Sequence, residues 1–265
     1  MVDNRRLAYL EALGVDLYVR RELAPARVLE QDSDAVSEAV LDLPARPRVP
    51  SESAPAALPQ PIPAAVAAGA EGTLDWDPLR AMVAACTRCA LHESRTQTVF
   101  GVGNPRARWM FIGEAPGAEE DKQGEPFVGR AGQLLTAMLM AVGFQRQDVY
   151  IANVLKCRPP GNRDPKPEEA LQCRGYLERQ IELVSPALVV AVGRIAAQNL
   201  LATDTALARL RGKVHALGAR RWPLVVMYHP AYLLRSPGEK RKAWQDLLFA
   251  RQTFRRLEAG EQVLP

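Results

Sequence analysis

Short apolar runs that alternate with longer amphipathic segments constrain the fold of this chain more than any other feature. Four runs rich in β-branched and aromatic residues follow Asp77, at 108–112, 149–154, 187–192 and 224–228. Helical patterns lie between and after them, at 132–142, 166–183, 194–201 and 239–257. Such runs are buried on both faces in parallel sheets, and their alternation with helices predicts βαβ units. The sequence therefore predicts an α/β fold, a three-layer α/β/α sandwich around a central, mainly parallel, four-stranded sheet.

The amino-terminal part of the chain differs from this pattern. Leucines near helical spacing predict one short amphipathic helix, at Leu7, Leu10, Leu13 and Leu17. We expect this helix to lie in a disordered N-terminal extension, residues 1–42, and to be either a partner-binding peptide or a dispensable segment. Residues 43–76 are rich in proline and alanine and predict an extended linker. The folded domain is then expected at 77–258, followed by a tail at 259–265.

Composition and charge narrow the class of protein. The chain has 48% hydrophobic and 24% charged residues, which is typical of a globular protein with a sizeable core. No stretch approaches the roughly 18 apolar residues of a membrane span, and the first residues do not resemble a signal peptide, so we expect a cytoplasmic protein. Residues 1–75 carry 7 Lys and Arg against 12 Asp and Glu, whereas residues 76–265 carry 27 against 18. The basic body favours a nucleic-acid partner, although an arginine-rich composition alone would look the same.

The chain has four cysteines, Cys86, Cys89, Cys157 and Cys173. The first two form a Cys-x2-Cys pair, and the other two stand apart. In a reducing compartment such a set favours metal ligation over disulfides. Zinc ribbons normally have two Cys-x2-Cys pairs, so the spacing by itself leaves both a zinc site and an iron-sulfur cluster open.

Polar motifs follow three of the predicted strands. The first strand precedes Gly113-Glu114-Ala115-Pro116-Gly117 and a loop that ends in Pro126-Phe127-Val128-Gly129-Arg130-Ala131-Gly132. The second precedes Asn153 and a basic segment with Lys156, Arg158, Arg163 and Lys166. The fourth precedes His229-Pro230-Ala231-Tyr232-Leu233-Leu234-Arg235. Ligands of α/β sheets bind at the carboxyl ends of strands, which predicts a site here. A turn-capping asparagine, a structural histidine and a merely solvated basic loop are the alternatives.

These motifs, together with the order of the cysteines, resemble the family-four uracil-DNA glycosylases of bacteria and archaea over about residues 77–258. The resemblance implies a monofunctional DNA repair hydrolase of base excision repair. Such an enzyme flips uracil out of DNA and hydrolyses its N-glycosidic bond, leaving an abasic site and free uracil. It also implies a structural 4Fe-4S cluster held by the four cysteines.

The resemblance implies a role for each motif in binding the base. Phe127 would stack on the flipped uracil, and the side-chain amide of Asn153 would pair with its N3–H and O4. His229 would hydrogen-bond O2 and stabilise the charge of the departing base. The backbone of Gly113 and Ala115 would line the pocket.

Other residues are candidates for contacting DNA and for activating water. The resemblance implies that Leu233 enters the vacated base stack and that Arg235 holds backbone phosphate or the gap, and the basic segment predicts that Arg158 contacts phosphates. Ala115 stands where the best-known uracil-DNA glycosylases have an aspartate. Glu114 and Glu120 are therefore equal candidates to orient water or to stabilise the sugar cation.

Two other functions are weighed against this one. A covalent uracil-DNA-binding relative would need a histidine in an inserted basic loop, but the histidines of this chain are His92, His215 and His229. A non-catalytic DNA-binding module is disfavoured because Phe127, Asn153 and His229 are all present. We expect a monomer that acts on single-stranded or double-stranded uracil-containing DNA. Its activity on other deaminated bases stays open.

Overall fold

The structure is a computed structural model that describes residues 73–264. The predicted N-terminal helix, and the predicted linker as far as residue 72, lie outside the described residues. The strands in the described range are β1 Val102–Gly103, β2 Trp109–Gly113, β3 Tyr150–Asn153, β4 Leu188–Val192, β5 His215–Leu217 and β6 Trp222–Met227. The α-helices there are α1 Trp76–Ala84, α2 Leu91–Ser94, α3 Ala118–Gln123, α4 Arg130–Ala141, α5 Pro167–Val184, α6 Arg194–Leu201, α7 Leu207–Leu210, α8 Pro230–Arg235 and α9 Lys240–Glu258.

One six-stranded sheet, in the order β1-β3-β2-β4-β6-β5, forms the centre of the described chain. The four inner strands are parallel, and β1 and β5 add antiparallel edges. The inner strands are the four that the sequence predicts, so the mainly parallel sheet is confirmed. The two edge strands are additions to that prediction. They contain only two and three residues, which is too short to produce an alternating pattern in the sequence.

Helices cover both faces of the sheet and confirm the three-layer α/β/α sandwich. One face carries Met110, Ile112, Ala152, Val189, Ala191 and Val226, packed against residues of α5 and α6. The other face carries Trp109, Phe111, Ile151, Val190, Val192 and Val225, packed against residues of α4, α8 and α9. Both sets are buried, which explains why the strands read as continuous apolar runs rather than alternating ones. Among the described helices, none is long and apolar enough to cross a membrane.

The strand register brings the functional motifs to one edge. Gly113 at the end of β2 pairs with Asn153 at the end of β3. On the other side of β2, Ile112 pairs with Ala191 of β4, and Val192 pairs with Met227 of β6. Gly113, Asn153, Gly193 and His229 therefore stand at or just beyond the carboxyl ends of neighbouring strands. Parallel α/β sheets bind their ligands at this edge.

Candidate active site

Gly113 forms the bare backbone surface at the centre of the site. A Cβ placed on this residue would lie 2.6 Å from the Cε2 and Cζ atoms of the Phe127 ring and would also overlap Oδ1 of Asn153. The ring and the amide therefore approach the same point, and a side chain at position 113 would displace one of them. The structure thus brings together Gly113, Phe127 and Asn153, as predicted. Ala115, two residues further on, is half-buried beside the core.

Asn153 presents an unsatisfied hydrogen-bond acceptor to this point. Its side chain is 2% exposed, and its buried Oδ1 has no hydrogen-bond partner among residues 73–264. Leaving a buried acceptor unpaired costs about 1–3 kcal/mol. Its backbone is held independently, because Nζ of the buried Lys156 donates to the Asn153 carbonyl oxygen at 2.8 Å. A rigid, unpaired acceptor of this kind is suited to an N–H donor of a ligand.

Phe127 is held in an unusual backbone conformation. Its φ angle is +55°, in the left-handed region, which costs a residue with a side chain about 1–2 kcal/mol. Its ring is 7% exposed and lies 5.6 Å from the imidazole of His229, centroid to centroid, with an interplanar angle of 32°. A Cβ at Gly132 would collide with the carbonyl oxygen of Phe127, so the start of α4 must be bare there. The aromatic ring thus lies beside the imidazole of His229.

His229 is the N-cap of α8 and has a defined tautomer. Its Nδ1 accepts a hydrogen bond from the backbone N–H of Ala231 at 3.1 Å, so the neutral ring carries its proton on Nε2. Burial, with a smaller contribution from the nearby Arg235, lowers the pKa of His229 to about 4, and Glu120 opposes the shift. Gly193 permits this packing, because a Cβ there would lie 2.8 Å from Cβ of His229. At neutral pH the site therefore has a neutral imidazole with one N–H to donate.

The two candidate carboxylates have different surroundings. Oε1 of Glu120 accepts hydrogen bonds from the backbone N–H groups of Val128 and Gly129, each at 2.9 Å, immediately before α4. These bonds attach it to the loop that carries Phe127. Glu114 follows Gly113 and is half-buried; burial raises its pKa to about 7, Asp164 adds to the shift and Arg194 opposes it. A carboxylate with a pKa near neutrality is suited to proton transfer or water orientation, so the structure separates two residues that the sequence ranks equally.

The predicted DNA-contacting residues are not all exposed. Arg235 is exposed, and Arg158 is half-buried with its Nε donating to Oδ1 of Asn162 at 2.8 Å. Leu233 is 1% exposed and lies beside Met138 and Leu247 of the neighbouring helices. Leu233 therefore packs in the core of this structure, whereas a residue that enters DNA needs to reach the surface. The next residue, Leu234, is 37% exposed.

The basic segment after Asn153 also differs from the expectation of a phosphate-binding loop. Lys156 is 1% exposed, and its Nζ donates to the Asn153 carbonyl and to Oε1 of Gln180 at 2.6 Å. Arg163 forms a two-pronged ion pair with Glu169, with Nη1 2.9 Å from Oε2. Both side chains therefore stabilise the protein, and Arg158 is the predicted DNA-binding residue of this segment. The structure adds Arg146, Asp164 and Arg194, which the sequence did not select: Arg146 precedes β3, Asp164 is an acidic residue between Arg163 and Lys166, and Arg194 follows β4.

The four cysteines come from three segments and influence one another. Cys157 and Cys173 are buried, Cys86 and Cys89 are half-buried, and all four are free. Burial raises the pKa of Cys173 to about 12, and the nearby Cys157 and Cys89 add to the shift. Burial likewise raises the pKa of Cys157, with smaller contributions from Cys89 and Cys86. Nη1 of Arg95 donates to Sγ of Cys157 at 3.1 Å. Within residues 73–264, no group of three or more Cys, His, Asp or Glu side chains is arranged to hold a metal ion.

Comparison with known proteins shows the family of this chain. Residues 100–248 match the uracil DNA glycosylase superfamily. The chain is similar to the type-4 uracil-DNA glycosylase of Archaeoglobus fulgidus, with 50% identity over 163 residues, or 58% of this chain and 81% of the relative. It is 47% identical to the one from Thermotoga maritima over 153 residues, 57% of this chain and 79% of the relative. It is 40% identical to the one from Pyrobaculum aerophilum over 180 residues, which are 66% of this chain and 92% of the relative. This chain therefore belongs to the uracil DNA glycosylase superfamily, among its type-4 members.

Proposed function

We propose that this protein is a DNA repair enzyme that binds uracil flipped out of DNA and hydrolyses its N-glycosidic bond, leaving an abasic site. Membership of the superfamily supports the activity. The single observation in the structure that carries the assignment is the buried, unpaired Oδ1 of Asn153 beside Phe127 and Gly113. This pocket provides an acceptor, an aromatic ring and bare backbone at one point. A planar base with an N–H donor on its edge complements all three.

Base recognition follows from the chemistry of the Asn153 amide. Its Oδ1 accepts from N3–H of uracil, while its N–H donates to O4. Cytosine has an acceptor at N3 and an amino group at position 4, so both contacts would oppose groups of the same kind. A site that leaves buried polar groups unpaired rejects the wrong ligand strongly. Phe127 adds stacking, worth about 1–3 kcal/mol per base.

His229 stabilises the departing base. As the glycosidic bond breaks, negative charge develops on the uracil ring and its O2. The proton on Nε2 of His229 is directed by the Ala231 hydrogen bond on Nδ1, so it is available without any change of protonation state. One preorganised donor of this kind contributes about 3–4 kcal/mol to an oxyanion-like transition state.

Glu114 is the proposed water-orienting carboxylate. Its pKa of about 7 means that roughly half of the molecules carry the ionised form at neutral pH. The ionised carboxylate accepts a hydrogen bond from the attacking water and stabilises positive charge on the sugar. Glu120 has a different task, because its Oε1 is occupied by the N–H groups of Val128 and Gly129. It holds the Phe127 loop.

DNA binding uses residues around the mouth of this pocket. We assign phosphate contacts to Arg158 and Arg235, which lie on segments that follow β3 and β6. Leu234 replaces Leu233 as the side chain that enters the base stack, because it is the exposed leucine of α8.

We further propose that the protein is a monomer and acts in the cytoplasm; its four free thiols suit a reducing compartment.

The four cysteines are the proposed ligands of a 4Fe-4S cluster. Their chemistry fits a cluster. All four thiols are free, Cys86 and Cys89 act electrostatically on Cys157, and Cys157 and Cys89 act on Cys173. Arg95 donates to Sγ of Cys157, and the cationic Lys156 acts on Cys173. In such a cluster each cysteine binds a different iron atom, so its sulfur ligands are not gathered around a single ion. The cluster, when bound, would supply a structural cross-link between the segment after α1, the segment after β3 and helix α5. Cys157 lies four residues after Asn153, which connects this cross-link to the base-reading residue.

The decisive experiment is uracil release from a single-stranded uracil-containing oligonucleotide, followed by alkaline cleavage of the abasic site. Wild type is compared with Asn153→Ala and with Asn199→Ala, a matched change of an exposed asparagine on α6. Loss of two hydrogen bonds worth about 1–2 kcal/mol each predicts a rate about 30-fold to 1,000-fold lower for Asn153→Ala. The Asn199→Ala protein should match wild type. No strand cleavage by cluster-loaded wild type would refute the catalytic assignment.

A further inference from the structure

The loop that carries Phe127 lies between α3 and α4 and must be actively held. Phe127 has a φ of +55°, a conformation that residues with side chains rarely adopt and that relaxes readily unless neighbouring groups restrain it. The restraint matters because the position of the ring depends on this peptide. Rotation to a negative φ would take the ring away from Gly113 and from His229.

On the carboxyl side of Phe127, Glu120 provides the restraint. Its Oε1 accepts from the backbone N–H groups of Val128 and Gly129, and both bonds are 2.9 Å long. The missing side chain of Gly132 allows the Phe127 carbonyl to approach α4. The peptide groups that follow Phe127 are therefore fixed.

On the amino side of Phe127, the restraint comes from Arg146. This residue lies far along the chain, in the short turn Arg146–Asp148 between α4 and β3. Its Nη2 donates a hydrogen bond to the carbonyl oxygen of Pro126, the peptide group that directly precedes Phe127. Glu120 and Glu125 face its guanidinium electrostatically. Arg146 and Glu120 thus interact with each other while holding opposite sides of one residue.

The environment of Arg146 is costly for a residue without a function. Its Nη1 is buried and has no hydrogen-bond partner among the described residues. Burial lowers the pKa of the guanidinium, and Glu125 and Glu120 oppose that shift. An exposed arginine would keep all its donors hydrated. The guanidinium of Arg146 loses part of that hydration and donates instead to the carbonyl oxygen of Pro126.

We propose that Arg146 is a positioning residue that, together with Glu120, braces Phe127 in its left-handed conformation so that the ring is ready to stack on the extruded base. This inference rests on the proposed uracil-DNA glycosylase activity. Arg146 does not touch the base; it acts through Phe127. Its removal should therefore cost no more than the loss of the aromatic ring itself.

A double-mutant cycle tests this dependence. The proteins are wild type, Arg146→Ala, Phe127→Ala and the double variant, and the measured quantity is kcat/KM for uracil release from a single-stranded oligonucleotide. We expect Arg146→Ala to lower kcat/KM about tenfold in the wild-type background and less than about twofold in the Phe127→Ala background, because residues that act on one contact are not additive. Arg146→Lys keeps one donor and the charge, so it should recover most of the activity.

Two controls separate bracing from other roles of an arginine. Arg106→Ala removes an equally positive but exposed side chain before β2, at the opposite edge of the sheet, and should leave kcat/KM unchanged. Affinity for undamaged single-stranded DNA should be the same for Arg146→Ala and Arg106→Ala, since neither removes a base-stacking contact. If Arg146→Ala does not fold, the same cycle is run with Arg146→Met, which keeps the length of the side chain but removes its donors and its charge.

The possible results are distinct. An equal loss from Arg146→Ala in both backgrounds would overturn the proposal and make Arg146 a direct DNA contact. Unchanged activity of Arg146→Ala, alongside strong loss from Phe127→Ala, would also overturn it while leaving the glycosylase function intact. Absence of uracil release by wild type would instead refute the proposed function itself.

Discussion

Replacing Glu114 by glutamine should change the pH dependence of both catalysis and stability, in ways that the structure specifies. If ionised Glu114 orients water, the single-turnover rate follows its ionised fraction, which is about a tenth at roughly pH 6 and about nine-tenths at roughly pH 8 for a pKa of about 7. The wild-type rate should therefore rise about ninefold over that interval. His229 adds no step there, because its pKa is about 4 and it stays neutral throughout. Glu114→Gln should lose the step and react at least about 100-fold more slowly at the upper pH.

The stability change has the opposite sign. The pKa of Glu114 is raised from 4.5 in the unfolded chain to about 7 in the folded protein, so the folded state binds more protons between these values. Stability is then fully present below about pH 4.5 and falls as the pH rises through about 7. The full shift corresponds to about 3 kcal/mol, and because the carboxylate is only half-buried, solvent screening reduces this to about 1–2 kcal/mol. Glu114→Gln should therefore be more stable than wild type at about pH 8, by that amount.

The assay combines single-turnover uracil release with urea unfolding of the same proteins at low and high pH. Glu119→Gln is the matched control, because Glu119 is an exposed carboxylate on α3 that pairs with Lys122 at 3.1 Å. His229 has its own effect on stability: because its pKa is lowered, stability falls as the pH falls from about 6.5 to about 4. All the compared proteins contain His229, so this effect cancels in the comparison. A pH step near 7 that persists in Glu114→Gln, or no gain in stability at high pH, would refute the reasoning.

The remaining predictions concern the leucines of α8 and the cysteines. Leu234→Ala should slow uracil release from duplex DNA several-fold without changing stability, whereas Leu233→Ala should lower the free energy of unfolding by about 2–5 kcal/mol through loss of core packing; thermal unfolding and duplex assays on both proteins decide, and the reverse pattern would contradict the assignment. Cys173→Ser should abolish the visible absorbance of the purified protein, together with its iron and acid-labile sulfide, and should lower its melting temperature. Stoichiometric zinc without sulfide in the wild-type protein would contradict the cluster.

Much of the fold follows from the sequence, because the inner strands are buried on both faces. Their apolar runs are long enough to be recognised, and the helices between them have clear periodicity. The edge strands β1 and β5 escape prediction, since two or three residues form no pattern and their pairing depends on the neighbouring strands. The short helices α2 and α7 escape for the same reason. Each has only four residues, and tertiary contacts decide whether such a segment is helical.

Only part of the candidate site can likewise be predicted from the sequence. Residues directly after strands, such as Asn153 and His229, can be placed from the sequence because parallel strands end at one edge. The choice between Leu233 and Leu234 depends on the rotational position of α8 against its neighbours, which adjacent leucines in a sequence do not reveal. The choice between Glu114 and Glu120 depends on burial and on backbone hydrogen bonds.

The proposed base recognition depends on neutral groups, whereas the proposed DNA binding depends on positively charged side chains. The groups that we assign to the base are a neutral amide, a neutral imidazole and an aromatic ring. A charged His229 is excluded there because it would be buried beside the cationic Arg235. The positive side chains assigned to DNA, Arg158 and Arg235, remain closer to solvent, where salt screens their attraction to phosphates. Salt should therefore weaken the capture of DNA, whereas discrimination of uracil from cytosine rests on buried neutral hydrogen bonds that ions do not reach.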